Sequence, residues 1–108
     1  MSAKSEYDAA YFTLLRAQEE RDHLLRYGEF LEAERYRLDR FAASTQSATD
    51  ELPRALKRAV DATTKGLLEA VGRRRAVVLA ELGRMDERIT NAEAFVRECE
   101  SDVQSLRG

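Results

Sequence analysis

LPRALKRAVDATTKGLLEAVGRRRAVVLAELGRMDERITNAEAFVRECESDVQSL, residues 52–106, is the stretch that decides the fold. Sixteen of its positions fall on one helical line: Leu52, Leu56, Val60, Thr63, Leu67, Val71, Arg74, Val78, Leu82, Met85, Ile89, Ala92, Val96, Cys99, Val103 and Leu106. Only Thr63 and Arg74 on it are not apolar. Every step is three or four residues, so one face of a long helix is apolar while the remainder is charged. Such a face needs another helix over it. The steps run 4-4-3 from Leu52 to Met85, an eleven-residue repeat, and then settle into sevens as far as Leu106.

The first half of the chain supplies that other helix. Ser5-Glu6-Tyr7-Asp8 reads as a helix start, with Ser5 as N-cap and acids in the first turn. From there an apolar line runs Tyr7, Ala10, Leu14, Ala17, Arg21, Leu24, Tyr27, Leu31, Glu34, Leu38, Phe41. Two consecutive steps of three at Arg21-Leu24-Tyr27 overwind it locally. No proline interrupts residues 5–43, and Gly28 is the only weak helix former in the middle, costing about 1 kcal/mol against alanine. The pattern predicts one helix over about 5–44.

The polar, β-branched run Ala43-Ser44-Thr45-Gln46-Ser47-Ala48-Thr49-Asp50 predicts a turn over about 45–51. Thr49 or Asp50 then caps a helix that starts near residue 52, with Pro53 tolerated in its first turn. The stripe argues that this helix continues unbroken to about 106. Asp61-Ala62-Thr63-Thr64-Lys65-Gly66 argues against it, being the poorest helix-forming run of the second half. A break near 61–65 leaves a short extra helix over about 52–61. It also leaves two long helices matched at roughly 60 Å each, at 1.5 Å rise per residue. Matched lengths favour the break.

The expected architecture is all-α: a single domain over 1–108 forming an elongated, coiled-coil-like antiparallel helical hairpin. Leu24, Leu31, Leu38, Leu67, Val71, Val78, Leu82, Ile89 and Val96 are the residues expected to carry folding and self-association. The shoulders of both stripes are also apolar, at Phe12, Leu15, Leu25, Phe30, Tyr36, Leu68, Val77, Leu79 and Phe95. A strip that wide wants more than one partner helix, and a homodimeric four-helix bundle is the economical answer.

Composition agrees with a helical bundle. The 108 residues are 44% hydrophobic and 35% charged, with one proline, five glycines and no tryptophan. The net charge of −2 excludes a generally basic nucleic-acid binder but leaves room for a local patch. Cys99 is the single cysteine, so no intramolecular disulfide forms. With no apolar signal segment in Met1-Ser2-Ala3-Lys4-Ser5-Glu6 and no membrane-length apolar run, the expected setting is reducing and cytoplasmic.

Four constellations bear on function. Residues 52–80 hold seven basic side chains against Asp61 and Glu69, a net of +5, whereas residues 81–108 carry four basic and seven acidic groups. Arg54, Lys57, Arg58, Arg73, Arg74 and Arg75 are therefore the candidate contacts for an acidic partner or a phosphate backbone. Helix 1 holds Glu19, Glu20, Asp22, Glu29, Glu32 and Glu34 to answer them in place. No aromatic interleaving supports base stacking.

Arg21, Glu34 and Arg74 occupy interior positions of the pattern, with Arg21 and Arg74 at nearly the same level of a hairpin. They either snorkel or form a polar layer that sets register and partner number. Glu20 and His23 have the i, i+3 spacing by which ferritin-like bundles place two metal ligands, although His23 is the sole histidine. Cys99 lies between Val96 and Val103 among acids, which suits a small buried hydrophobe rather than a redox nucleophile. Tyr7, Tyr11, Tyr27 and Tyr36 read as core or interface side chains.

The chain has no Gly-rich phosphate loop, no cysteine pair for zinc and no Ser/His/acid set with a pocket. The expectation is therefore a non-enzymatic interaction or scaffolding module without cofactor, whose partners are itself and another protein. A nucleic-acid-associated protein and a metal-binding ferritin-like bundle are the alternatives. In length and mid-chain turn the chain resembles the outline of the small helical hairpins of type VII secretion. It lacks their Trp-x-Gly turn, the nearest approach being Tyr27-Gly28 in mid-helix, and no residue role carries over.

Overall fold

In a computed structural model that describes residues 2–107, the chain is all-α, with two long helices packed against each other as an antiparallel hairpin. Helix α1 spans Ala3–Asp50 and helix α2 spans Arg54–Arg107. Helix α1 begins three residues earlier than its acidic first turn suggested. The Ser5 N–H donates to Ser2 Oγ at 3.2 Å, and the Glu6 N–H donates to the Ser2 carbonyl at 3.1 Å. Ser2 is thus the N-cap, and Ser5 lies inside the helix.

The turn is also shorter than the expected 45–51. Helix α1 runs through the polar segment because that segment bonds within itself and packs. Thr49 Oγ1 donates to the Thr45 carbonyl at 2.9 Å, Gln46 Nε2 donates to Asp50 Oδ1 at 3.0 Å, and Thr49 is buried. Neither Thr49 nor Asp50 caps the second helix. The Glu51 N–H still reaches the Ser47 carbonyl, and the Leu52 N–H closes a tighter i→i+3 bond to Thr49. Pro53 then ends the run, since it disfavours helical backbone at Leu52 and has no N–H to continue the ladder. Its carbonyl accepts the Lys57 N–H at 2.8 Å and so opens α2.

No break occurs near Asp61–Gly66, and there is no separate short helix after the turn: α2 is continuous through the segment. Val60, Thr64 and Leu68 face inward there, Thr64 being buried, while Gln46 of α1 borders the same groove as Asp61, Thr64 and Lys65. Tertiary packing overrides a weak local propensity, as it commonly does when the deficit is a few tenths of a kcal/mol per residue.

The contacts sort into two units, each built from both helices. The first pairs residues 1–29 with 84–108. Its core is Leu14 and Ala17 of α1 against Val96, Cys99 and Val103 of α2, flanked by Tyr7 and Ala10. Gly28 lies against Met85, whose Cε is 3.5 Å from where a Cβ would stand. The second unit spans residues 30–83. Leu31, Leu38 and Val78 are its buried apolar side chains, and Glu34, Thr49 and Thr64 are buried with them. Its seam is therefore mixed where that of the first unit is apolar.

The inward line of α2 departs from the sixteen-position stripe. Lys57, Thr64, Leu68 and Arg75 face α1, whereas Leu56, Thr63, Leu67 and Arg74 are exposed. With Val71, Val78, Met85, Ala92 and Cys99, the inward residues Lys57 and Thr64 repeat every seven positions. The eleven-residue repeat is replaced by a heptad. The line of α1 holds from Tyr7 to Leu38 and then takes Ala42 in place of Phe41, which is exposed. Thr63-Thr64, Leu67-Leu68 and Arg74-Arg75 are doublets of one residue type, so periodicity has nothing with which to choose the inward member. Packing makes the choice.

Helical continuity has a direct test at Gly66, where an added Cβ meets no packing neighbour within 4 Å. Gly66→Ala is expected to raise stability by about 1 kcal/mol, because alanine is the better helix former. A urea midpoint followed by circular dichroism measures it, and a lowered midpoint would show that the segment is not helical.

Candidate interaction surface

The polar part of the seam is built by α1 carboxylates that α2 must answer. Glu34 is 7% exposed, and a buried carboxylate without partners would be costly. Arg37, one turn on, donates from Nη2 to Glu34 Oε2 at 2.7 Å, and Arg74 of α2 reaches Oε1 at 2.7 Å. On the other edge of the seam, Arg75 Nε donates to Asp39 Oδ1 at 2.6 Å. Arg74 and Arg75 therefore straddle the helix pair, one on each edge. Near the turn, Lys57 Nζ lies 3.3 Å from Asp50 Oδ1. No buried side-chain nitrogen or oxygen among the described residues lacks a partner.

This pairing goes with the way α2 is turned. Placing Arg74 and Arg75 astride the seam brings Leu68 inward and leaves Leu67 outside, an exchange of leucine for leucine that costs little. The exposed apolar residues of the second unit then gather on one side. Phe30 and Phe41 of α1 each precede an inward residue, Leu31 and Ala42. Leu56, Leu67 and Val77 of α2 likewise precede Lys57, Leu68 and Val78. One residue turns a helix by about 100°, and equal offsets on two antiparallel helices point to the same side of the pair. Arg37 and Arg74 precede inward residues too, and both meet at Glu34, which fixes that side independently. Ala33, Ala48, Ala59, Thr63 and Ala70 fill the spaces between the larger side chains. Arg37 also lies over the Phe30 ring, 5.9 Å from its centroid.

The first unit exposes Tyr11, Phe12, Leu15 and Leu25 on α1 and Phe95 and Leu106 on α2. Tyr7 and Tyr11 stack at 6.3 Å between centroids, and Phe12 meets Tyr11 edge-on at 6.4 Å. Phe12, Leu15 and Arg16 border a shallow groove along α1.

The residues singled out from sequence are distributed as follows. Leu31, Leu38, Val78 and Val96 are buried, and Leu24, Val71, Leu82 and Ile89 are half-buried. Leu67 is exposed on the apolar side just described. Of the basic set, Lys57, Arg74 and Arg75 are engaged with α1 carboxylates, while Arg54, Arg58 and Arg73 face outward. Arg54 and Arg58 border a shallow groove with Ala55. Arg21 bonds its neighbour Asp22 at 3.0 Å in the first unit, whereas Arg74 meets Glu34 in the second, so the two do not form one polar layer.

Glu20 and His23 lie along an open groove with Glu19, Leu24 and the cationic Arg26. Among the described residues no group of three or more His, Cys, Asp and Glu side chains comes together as a metal site. Cys99 is buried, and its thiol is pushed up from the usual range by that burial and by Asp102 and Glu98. Among the described residues no helix is long and apolar enough to cross a membrane. Against known families, curated proteins and solved structures, the chain has no match.

Sequence reading missed the grouping of Phe30, Phe41, Leu56, Leu67 and Val77 on one side. Spacing along each helix places Phe30 and Val77 on the shoulders and Leu56, Leu67 and Phe41 in the seam. The signal that could have found them is the set of carboxylates Glu34, Asp39 and Asp50, whose pairing with Arg74, Arg75 and Lys57 is compatible with only one rotation of α2.

Glu34 makes this seam acid-sensitive. The hydrogen bond from Arg37, supported by Arg74, holds its carboxyl below the ordinary value of 4.5 despite its burial. A lowered folded-state value contributes stability that is present above the ordinary glutamate range and is lost as pH falls through the lowered one. Acid titration of the thermal midpoint is expected to fall below about pH 4.5 in the native chain and to fall less in Glu34→Gln. Equal acid sensitivity in the two would contradict the pairing.

Proposed function

We propose that the chain is a non-enzymatic helical interaction module that works by associating with further copies of itself. Exposed apolar surface carries the reading. The chain presents 8059 Å² of accessible surface, against about 6,100 Å² for a compact monomer of its 12.3 kDa. Among the described residues no large side chain falls below 2% exposure, while thirteen large hydrophobic ones are exposed. One pair of helices has a single line along which to bury apolar groups, and these side chains are what lies beside it. A second hairpin would cover them and give the four-helix arrangement that such stripes favour.

On this reading the outward Arg54, Arg58 and Arg73 are the residues left for an acidic partner protein. Lys57, Arg74 and Arg75 serve the hairpin first, which weakens the alternative of a phosphate-backbone grip.

Sedimentation equilibrium across a hundredfold range of concentration tests the proposal. The expected result is a molar mass of twice 12.3 kDa at tens of micromolar, with a thermal midpoint that rises with concentration. A mass of 12.3 kDa throughout, with a concentration-independent midpoint, would overturn it.

A further inference from the structure

We infer that the second copy seats on one particular side of residues 30–83, the side bearing Phe30, Phe41, Leu56, Leu67 and Val77. The inference rests on the self-association just proposed and adds which surface is used and how. These five side chains are between 43% and 65% exposed. Within the second unit, the other exposed large hydrophobic residues, Tyr36 and Leu79, lie away from this side. The Tyr36 ring is in addition covered by Arg40, 5.8 Å from its centroid and bonded to its hydroxyl at 3.2 Å.

The area suits a second copy. Five side chains of roughly 150–200 Å² each, about half exposed, leave on the order of 500 Å² of apolar surface per copy. Two such sides pressed together remove on the order of 1,000 Å². The small residues between them, Ala33, Ala48, Ala59, Thr63 and Ala70, carry the total into the ~1,200–2,000 Å² typical of stable complexes.

The side is also self-complementary in bulk. Its α1 edge carries the two phenylalanines, whereas its α2 edge alternates Leu56, Leu67 and Val77 with Ala59, Thr63 and Ala70. A two-fold axis running along the hairpin lays α1 of each copy over α2 of the other, setting rings against gaps. Its charges, Arg37 and Arg74, share the single carboxylate of Glu34, a net of +1 per copy, so the interface closes with these half-exposed guanidinium groups kept at its rim. An isologous contact of this kind closes on itself and stops at two copies.

The experiment compares the native chain with Leu56→Glu, Leu67→Glu and Val77→Glu on this side and with Leu15→Glu, Phe12→Glu and Tyr36→Glu off it. All six positions are exposed, so the seam of the hairpin is untouched, and helical circular dichroism confirms each fold. The expected result is a dimer whose dissociation constant rises more than about tenfold in each of the first three variants and less than about threefold in the last three. A dimer that ignores the first three but is broken by Leu15→Glu or Phe12→Glu overturns this inference and leaves self-association standing. A native chain monomeric at every concentration overturns both.

Discussion

A pair of helices has one seam, and that geometric constraint governs the rest of the structure. Along a seam only about two residues in seven point at the partner helix, so each helix buries a narrow line however many apolar residues it carries. In the first unit the line is filled by Leu14, Ala17, Val96, Cys99 and Val103. In the second it is shared among Leu31, Leu38 and Val78 with Glu34, Thr49 and Thr64. The apolar residues in excess of the line have nowhere to go within the hairpin. Their exposure is a consequence of the architecture rather than of any local defect.

The polar seam then decides which of those residues are in excess. Glu34 and Asp39 lie on opposite edges of α1 and are met by consecutive arginines, Arg74 and Arg75. Each pair is largely solvated on its cationic side, so the contribution of either to stability is modest. Glu34 already has Arg37 of its own helix as a partner, and Arg74 answers its second carboxylate oxygen. The rotation of α2 that accommodates both pairs is nearly free in apolar burial where Leu68 replaces Leu67. At Leu56 it is not free, since Lys57 faces inward instead. The same rotation that makes these pairs leaves an apolar surface outside the hairpin.

Much of the fold was legible because helical periodicity is a strong and redundant signal. The apolar line of α1 from Tyr7 to Leu38, and that of α2 from Val78 to Val103, read correctly from spacing alone. Each is supported by many turns in succession. The helix ends and the Asp61–Gly66 segment were less legible, because local propensities differ by only tenths of a kcal/mol there and packing outweighs them. Thr49 shows why: a residue suited to capping a new helix instead bonds back to Thr45 and is buried in the old one. The apolar side of the second unit was hidden for another reason. Burial in doublets such as Leu67-Leu68 is undetermined by residue type.

The sequence by itself determined that this chain is two long amphipathic stretches of helix joined by a mid-chain turn and lying side by side, because stripes at helical spacing leave no other way to bury them. Only the tertiary structure decided which member of each doublet faces inward, how far each helix runs, and hence which apolar residues remain outside. Those outcomes depend on contacts between residues distant along the chain, Glu34 with Arg74 and Asp39 with Arg75 above all. No pattern read along a single helix contains the angle at which its neighbour will meet it.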